Sequence, residues 1–324
     1  MLQNINTGNG SDDINFDEKS FLRKARLKSI LRIILISLGV AVGVFILAFV
    51  APELILQNQE NRINSFYPDL VKFTEPNTYA LSGENYSVRL FGRQKEYYLV
   101  RLIGNKPYPA GTITVDFDVW GGEQTKGDHS FCILNLDVDK SLNAYSKIST
   151  AIPEVTKEYL VPYAVPKLTF YHPAVNYEKF IREFNMLENI PGDYIVEMAL
   201  SFKKTLTLDE MKTLMPGDLK LMWGAVSVFK DQDYKKSNYL AEKLLGNPYI
   251  NSIDGEKELI NELERLSQIP SYHSDNLKRT VSFLKENGVK YYGVVVVGSP
   301  ETLKKLSSNP IITGAVLGIV TTPY

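Results

Sequence analysis

Three histidines and a single cysteine, His129, His172, His273 and Cys132, are the residues with the clearest chemical potential in this sequence. His129 and Cys132 stand three residues apart, a spacing that occurs in metal sites. Structural zinc normally takes four ligands, and only two further histidines are available, so no metal is expected. Cys132 is then a small buried strand residue. Being alone it cannot close an intramolecular disulfide, so the fold must be held by its core. Asp116/Asp118 and Asp137/Asp139 resemble catalytic or calcium-binding carboxylate pairs, yet each pair occupies alternate positions of a strand pattern and is expected on a solvated face. There is no GxSxG, HExxH, CxxC, GxxxxGKS/T or GxGxxG motif. Gly293 and Gly298 flank a valine run as strand and turn glycines. His172, in Phe170-Tyr-His-Pro173, is the most interesting histidine, because it lies where a β-rich region passes into the next domain. A packed or turn histidine is the preferred reading. No catalytic, cofactor-binding or metal-binding residue is expected, and the chain is not read as an enzyme.

The elements that would position any site fall into clear zones. With 324 residues, 44% hydrophobic and 23% charged, the chain can form two domains with buried cores. Its 36 basic and 37 acidic residues leave a net charge of −1, so no overall field favours nucleic acid, and no direct nucleic-acid contact is expected. Charge is uneven only near the N-terminus. Ile33–Pro52 is a run of 20 uncharged residues, the length a helix needs to cross about 30 Å of hydrocarbon. Arg23, Lys24, Arg26, Lys28 and Arg32 precede it, whereas Glu53, Glu60 and Arg62 are the nearest charges after it. Positive charge stays on the cytoplasmic side, which predicts a cytoplasmic N-terminus and an extracytoplasmic C-terminus. A cleaved signal peptide would have a shorter apolar run and a small-x-small site, and neither Ala48-Phe49-Val50 nor Phe49-Val50-Ala51 fits. Gly39 and Gly43 form a GxxxG step through which two such helices can approach as a homodimer.

The expected organisation is a cytoplasmic tail over 1–32, a transmembrane helix over 33–52, a helical stalk and β-rich extracytoplasmic domain over 53–165, and a C-terminal α+β domain over 166–324. Residues 1–20 are polar and too poor in apolar surface to fold alone. Thr112–Trp120 alternates strictly, with Ile113, Val115, Phe117 and Val119 on one face, which predicts an antiparallel strand covering a core on one side. Cys132, Leu134, Leu136 and Val138 repeat the pattern. The last third carries a weak internal duplication. Ile195–Phe202 is a predicted strand, Thr207-Leu-Asp-Glu210 a capping box, and Leu219 to Phe229 a second strand. Tyr292–Val297, Ser299-Pro300-Glu301 with proline at the first helical position, and Ile312–Val320 repeat that order. Two β-α-β units in one domain predict a ferredoxin-like sheet with helices on one face. Residues 231–288 form a helical insertion between the units, with Pro270 dividing two amphipathic helices. The fold class is thus α+β.

The segment Ser20–Ser37, SFLRKARLKSILRIILIS, resembles the N-terminal module of the sigma factor regulator family. Phe170-Tyr-His-Pro173, the Ile190-Pro191 turn, Val196-Glu-Met-Ala-Leu-Ser-Phe202, Tyr292-Gly-Val-Val-Val-Val-Gly298 and Asn309-Pro310 resemble its C-terminal module. The resemblance spans roughly residues 16–110 and 155–322. It implies a membrane regulator of extracytoplasmic-function sigma factors, with such a factor or a sigma-binding co-regulator as partner and the lipid bilayer as support. Some anti-sigma factors use a folded cytoplasmic domain, sometimes zinc-binding, for which residues 1–32 leave no room. Any sigma contact must then use a short segment that folds on binding, and Phe16, Phe21 and Leu22 are its apolar anchors. The bland alternative is that the basic cluster only sets topology and meets anionic lipid. At the level of the whole chain, the alternative is an envelope-binding or structural membrane-anchored protein without a transcriptional role.

Overall fold

The computed structural model describes residues 18–81, 83–103, 106–129, 147–149, 156–160, 165–236 and 244–322. The chain divides into two compact units, Met1–Leu54 and Ile55–Tyr324. In the first, helix α1 spans Glu18–Phe45 and is followed by a π turn over Ile46–Val50. Arg, Lys, Leu and Ile dominate α1 and proline is absent, which favours a long unbroken helix. Four successive residues, Ile33, Ile34, Leu35 and Ile36, are all exposed, so the helix is apolar on every side. Such a surface suits hydrocarbon and not one face of a soluble core. The helix that runs on to Thr74 contains one stretch long and apolar enough to cross a membrane, by length and composition.

Helix α2, Ala51–Thr74, enters the second unit. The expected helix from Leu54 is present, extends past Val71, and carries one face of the core. Ile63, Phe66, Tyr67, Leu70 and Val71 are buried, and their spacing of three and four residues makes one apolar stripe. A first antiparallel sheet follows, built from β1 (Thr78–Ala80), β2 (Glu84–Arg89), β3 (Gly92–Ile103), β4 (Lys106–Asp118) and β5 (Glu123–His129). Its order is β1-β3-β4-β5, with β2 also paired to β3. Ile113, Val115 and Phe117 of β4 are buried as the alternation predicts. Cys132, Leu134, Leu136, Val138, Asp137 and Asp139 lie outside the described residues. Short strands β6 (Lys147–Ser149), β7 (Thr156–Leu160) and β8 (Val165–Pro166) form a separate three-stranded sheet.

The last third contains β9 (Ile195–Leu206), α3 (Leu208–Leu214), β10 (Lys220–Val226), α4 (Asp231–Lys236), β11 (Gly246–Asn247), α5 (Gly255–Gln268), α6 (Ser274–Asn287), β12 (Tyr291–Gly298), α7 (Pro300–Lys304) and β13 (Ile312–Thr321). All five strands share one antiparallel sheet, ordered β11-β10-β12-β9-β13. β9 and β10 therefore run parallel with β12 between them, and β12 and β13 run parallel with β9 between them. This interleaving is the order and direction expected of two split β-α-β units, although the short edge strand β11 adds to that pattern. Both local start signals are present. Thr207 and Glu210 close a reciprocal capping box, and the Ser299 hydroxyl accepts from the Thr302 amide beside Pro300.

The sheet is buried on both faces, which is why its strands are continuous apolar runs and not alternating ones. Val294, Val296, Met198, Leu200 and Phe202 pack on the side of α3, α5, α6 and α7. Val295, Ala199, Trp223, Ala225 and Val316 pack with Leu168, Phe170 and Tyr234 on the other. Leu259, Leu263 and Leu266 of α5 and Leu277, Val281 and Leu284 of α6 are buried, so the helical insertion belongs to the core.

Candidate functional site

Phe21 and Leu22 lie on the first turns of α1 with relative exposures of 58% and 59%. Adjacent helical positions differ by about 100°, so they present apolar surface on neighbouring sides of the helix. Arg23, Lys24, Arg26, Lys28 and Arg32 continue the same helix into the uncharged run. Phe16 lies outside the described residues. At Gly39 and Gly43, about one turn apart, a Cβ would meet no atom of the described residues within 4 Å beyond its chain neighbours and the helix's own backbone.

His172 occupies a sealed pocket. Its ring stacks on Tyr234 at 3.6 Å between centroids and meets the edge of Tyr292 at 4.8 Å. The Ala174 amide donates to Nδ1, which leaves the ring proton on Nε2, 3.2 Å from the Ser227 hydroxyl. Burial pushes its pKa down to about 3, so the imidazole is neutral under ordinary conditions. A fully buried, stacked and hydrogen-bonded ring has no access to substrate and acts as packing. Among the described residues no cluster of three or more His, Cys, Asp or Glu side chains is placed to hold a metal.

A polar cluster at the end of α2 is a more distinctive feature. The chain turns there through Glu75, Pro76 and Asn77, whose φ of 52° places it in the left-handed region that asparagine tolerates. The Asn77 side-chain amide donates to the Leu102 carbonyl and to Glu197 Oε1, both at 3.0 Å. Glu197 Oε2 accepts from the Ile319 amide at 3.2 Å and from Arg101 at 3.5 Å. Arg101 also donates to the Pro166 carbonyl at 2.8 Å. A register shift between Leu317 and Val320 aims the Ile319 amide inward, and Gly318 leaves the room Glu197 needs, since a Cβ there would stand 2.4 Å from its carboxylate. Burial pushes the Glu75 carboxyl well above the usual carboxylate range, opposed by Arg101 and Lys167. One knot thus ties the end of α2 to β3, β9 and β13. It was not anticipated from sequence, though a signal existed: Arg101 and Glu197 each interrupt an apolar strand run.

Along its length α2 is also held by the first sheet. Gln59 donates to the Asp118 carbonyl, Glu60 accepts from Arg93 and Lys95, Asn64 accepts from Tyr97, and Glu123 accepts from Arg62 and Tyr67. Burial alone would raise the Glu60 carboxyl, but the hydrogen bonds from Lys95 and Arg93 prevail and hold it below the usual range. The Trp223 indole donates to the Lys72 carbonyl, bringing the second sheet to the same helix.

These features define a class: a helix able to cross a membrane, followed by an α+β unit whose core includes the helix leading into it. Residues 19–108 match the family model described as sigma factor regulator N-terminal, and residues 187–319 the one described as sigma factor regulator C-terminal. The chain belongs to the sigma factor regulator family. A relative from Bacillus subtilis (strain 168), described as "Probable anti-sigma-M factor YhdL", is 23% identical over 270 residues, covering 77% of this chain and 66% of that protein. The chain thus spans just under two thirds of the length of that curated relative.

Proposed function

We propose that this chain is a single-pass membrane regulator of an extracytoplasmic-function sigma factor, acting as an anti-sigma protein. The observation that carries this reading is the occurrence of both family modules in one chain, the first of them containing the apolar helix. The basic residues before that helix favour a cytoplasmic N-terminus, which leaves the Ile55–Tyr324 unit on the other side. Phe21 and Leu22, together with Phe16, are the apolar groups offered to the sigma factor or to a sigma-binding co-regulator. The outer unit receives the signal. Because α2 is part of that unit's core, a change in the unit's packing displaces α2, and α2 is covalently continuous with the membrane helix. Pairing of two chains through Gly39 and Gly43 would add a second route, by changing the distance between two tails.

Deleting the gene tests this reading. Transcripts from the promoter of the cognate sigma factor should rise and fall again when the full chain is restored. Unchanged transcription would leave the envelope-binding alternative as the better account.

A further inference from the structure

From the exposed residues at one end of the first sheet we propose a membrane-contacting surface, formed by the β2–β3 and β4–β5 turns and occupied by the bilayer in which the chain is itself anchored. This rests on the membrane reading above. Val88, Leu90, Phe91 and Trp120 are exposed, Trp120 at 76%. They belong to two turns that are held together: the Val119 amide donates to the Phe91 carbonyl at 3.0 Å, and the Phe91 and Trp120 rings lie 5.6 Å apart. An exposed Trp–Phe pair beside leucine and valine is costly in water.

The direction of the strands identifies what covers it. Contacts between α2 and β3 advance together, from Glu60 with Arg93 and Lys95, through Asn64 with Tyr97, to Asn77 with the Leu102 carbonyl. β3 therefore runs alongside α2 in the same sense, and the turn preceding β3 lies toward the start of the helix. Leu90 and Phe91 form the two-residue turn just before Gly92, which pairs with Arg89 on one side and Asp118 on the other. That places Leu90 and Phe91 at the end of this unit where α2 enters it. The second turn is fixed at the same end, since Gln59 holds the Asp118 carbonyl at 2.7 Å. Tryptophan and its neighbours at this end match the aromatic belt where a bilayer meets water. Arg89 and Lys126, both ion-paired to Asp116, flank the patch with exposed side chains able to reach headgroups.

Tryptophan emission of the full chain, reconstituted in phosphatidylcholine/phosphatidylglycerol vesicles with or without dibrominated phosphatidylcholine, tests the proposal. The chain has two tryptophans, and Trp223 has no exposed surface. Trp120→Phe, at an exposed position, isolates the signal of Trp120 by difference. Wild type should lose a large share of its emission to the brominated lipid, and Trp120→Phe should lose almost none. Equal losses in the two proteins, or a Trp120 shielded from aqueous iodide yet untouched by brominated lipid, as a second copy or a protein partner would shield it, overturn the proposal. Flotation with the vesicles is scored separately: a chain that does not float contradicts the membrane reading itself and this inference with it.

Discussion

Arg101 and Glu197 have no exposed side-chain surface and meet at 3.5 Å, with a backbone amide and Asn77 completing the carboxylate's partners. Removing one partner leaves the other charge in the core, a change that costs about 3–5 kcal/mol. Arg101→Met and Glu197→Gln should each destabilise the full chain by that order in detergent, followed by circular dichroism during denaturation. The double variant Arg101→Met/Glu197→Gln should cost clearly less than the two single losses together. Agreement with additivity to within about 0.5 kcal/mol would show that the pair is not coupled. Glu75 gives a pH test in the same knot. Burial holds its carboxyl above the ordinary value of 4.5, against the opposing charges of Arg101 and Lys167. A proton bound more tightly in the fold than in the unfolded chain stabilises the fold fully below 4.5, and this contribution is lost as pH rises through the folded value. Glu75→Gln has no such proton to lose, so its melting temperature should fall less than wild type's over that rise. Parallel profiles for the two proteins would exclude Glu75 as the source of the slope.

At the scale of elements, β12 is the most constrained strand. Val295 is fully buried between Trp223 and Ala199 in pairing register, so Val295→Asp should cost roughly 3 kcal/mol or more by burying an unpaired carboxylate. A loss under about 1 kcal/mol would mean the strand can shift the new group to water. Helix α1 carries the orientation test. A reporter active only in the cytoplasm, fused after Tyr324, should be silent in wild type and gain activity when Arg23, Lys24, Arg26 and Lys28 are neutralised together. Elements with strong local signals were legible in the sequence: β12, the Thr207–Glu210 cap and the start of α7 at Ser299-Pro300 all occur where their residues point. That the strands of both β-α-β units share one sheet was also legible, in the repeated pattern. Other features depend on partners distant in sequence. β11 is two residues long and exists because β10 offers an edge. The knot around Glu197 needs a register shift near Gly318 and a left-handed Asn77, neither of which has a local pattern. The buried stripe of α2 did have one, in the spacing of Ile63, Phe66, Tyr67, Leu70 and Val71. It marks the helix as a core element as well as a connection.

For the whole molecule, the proposal to be tested is that the helix segment carrying Phe21 and Leu22 acts on transcription. The five basic residues explain insertion without any help from Phe21 and Leu22, so the two roles separate by mutation. Phe21→Ser/Leu22→Ser keeps every charge and leaves the uncharged run intact, and it should insert as wild type does, as the reporter after Tyr324 can verify. The decisive measurement is expression from the promoter of the cognate sigma factor in cells whose only copy is this correctly inserted variant. Repression should be lost in those cells, and expression should approach the level of the gene deletion. Wild-type expression in those cells, together with wild-type expression when residues 2–20 are deleted, would contradict the proposal and leave the segment as an anchor alone.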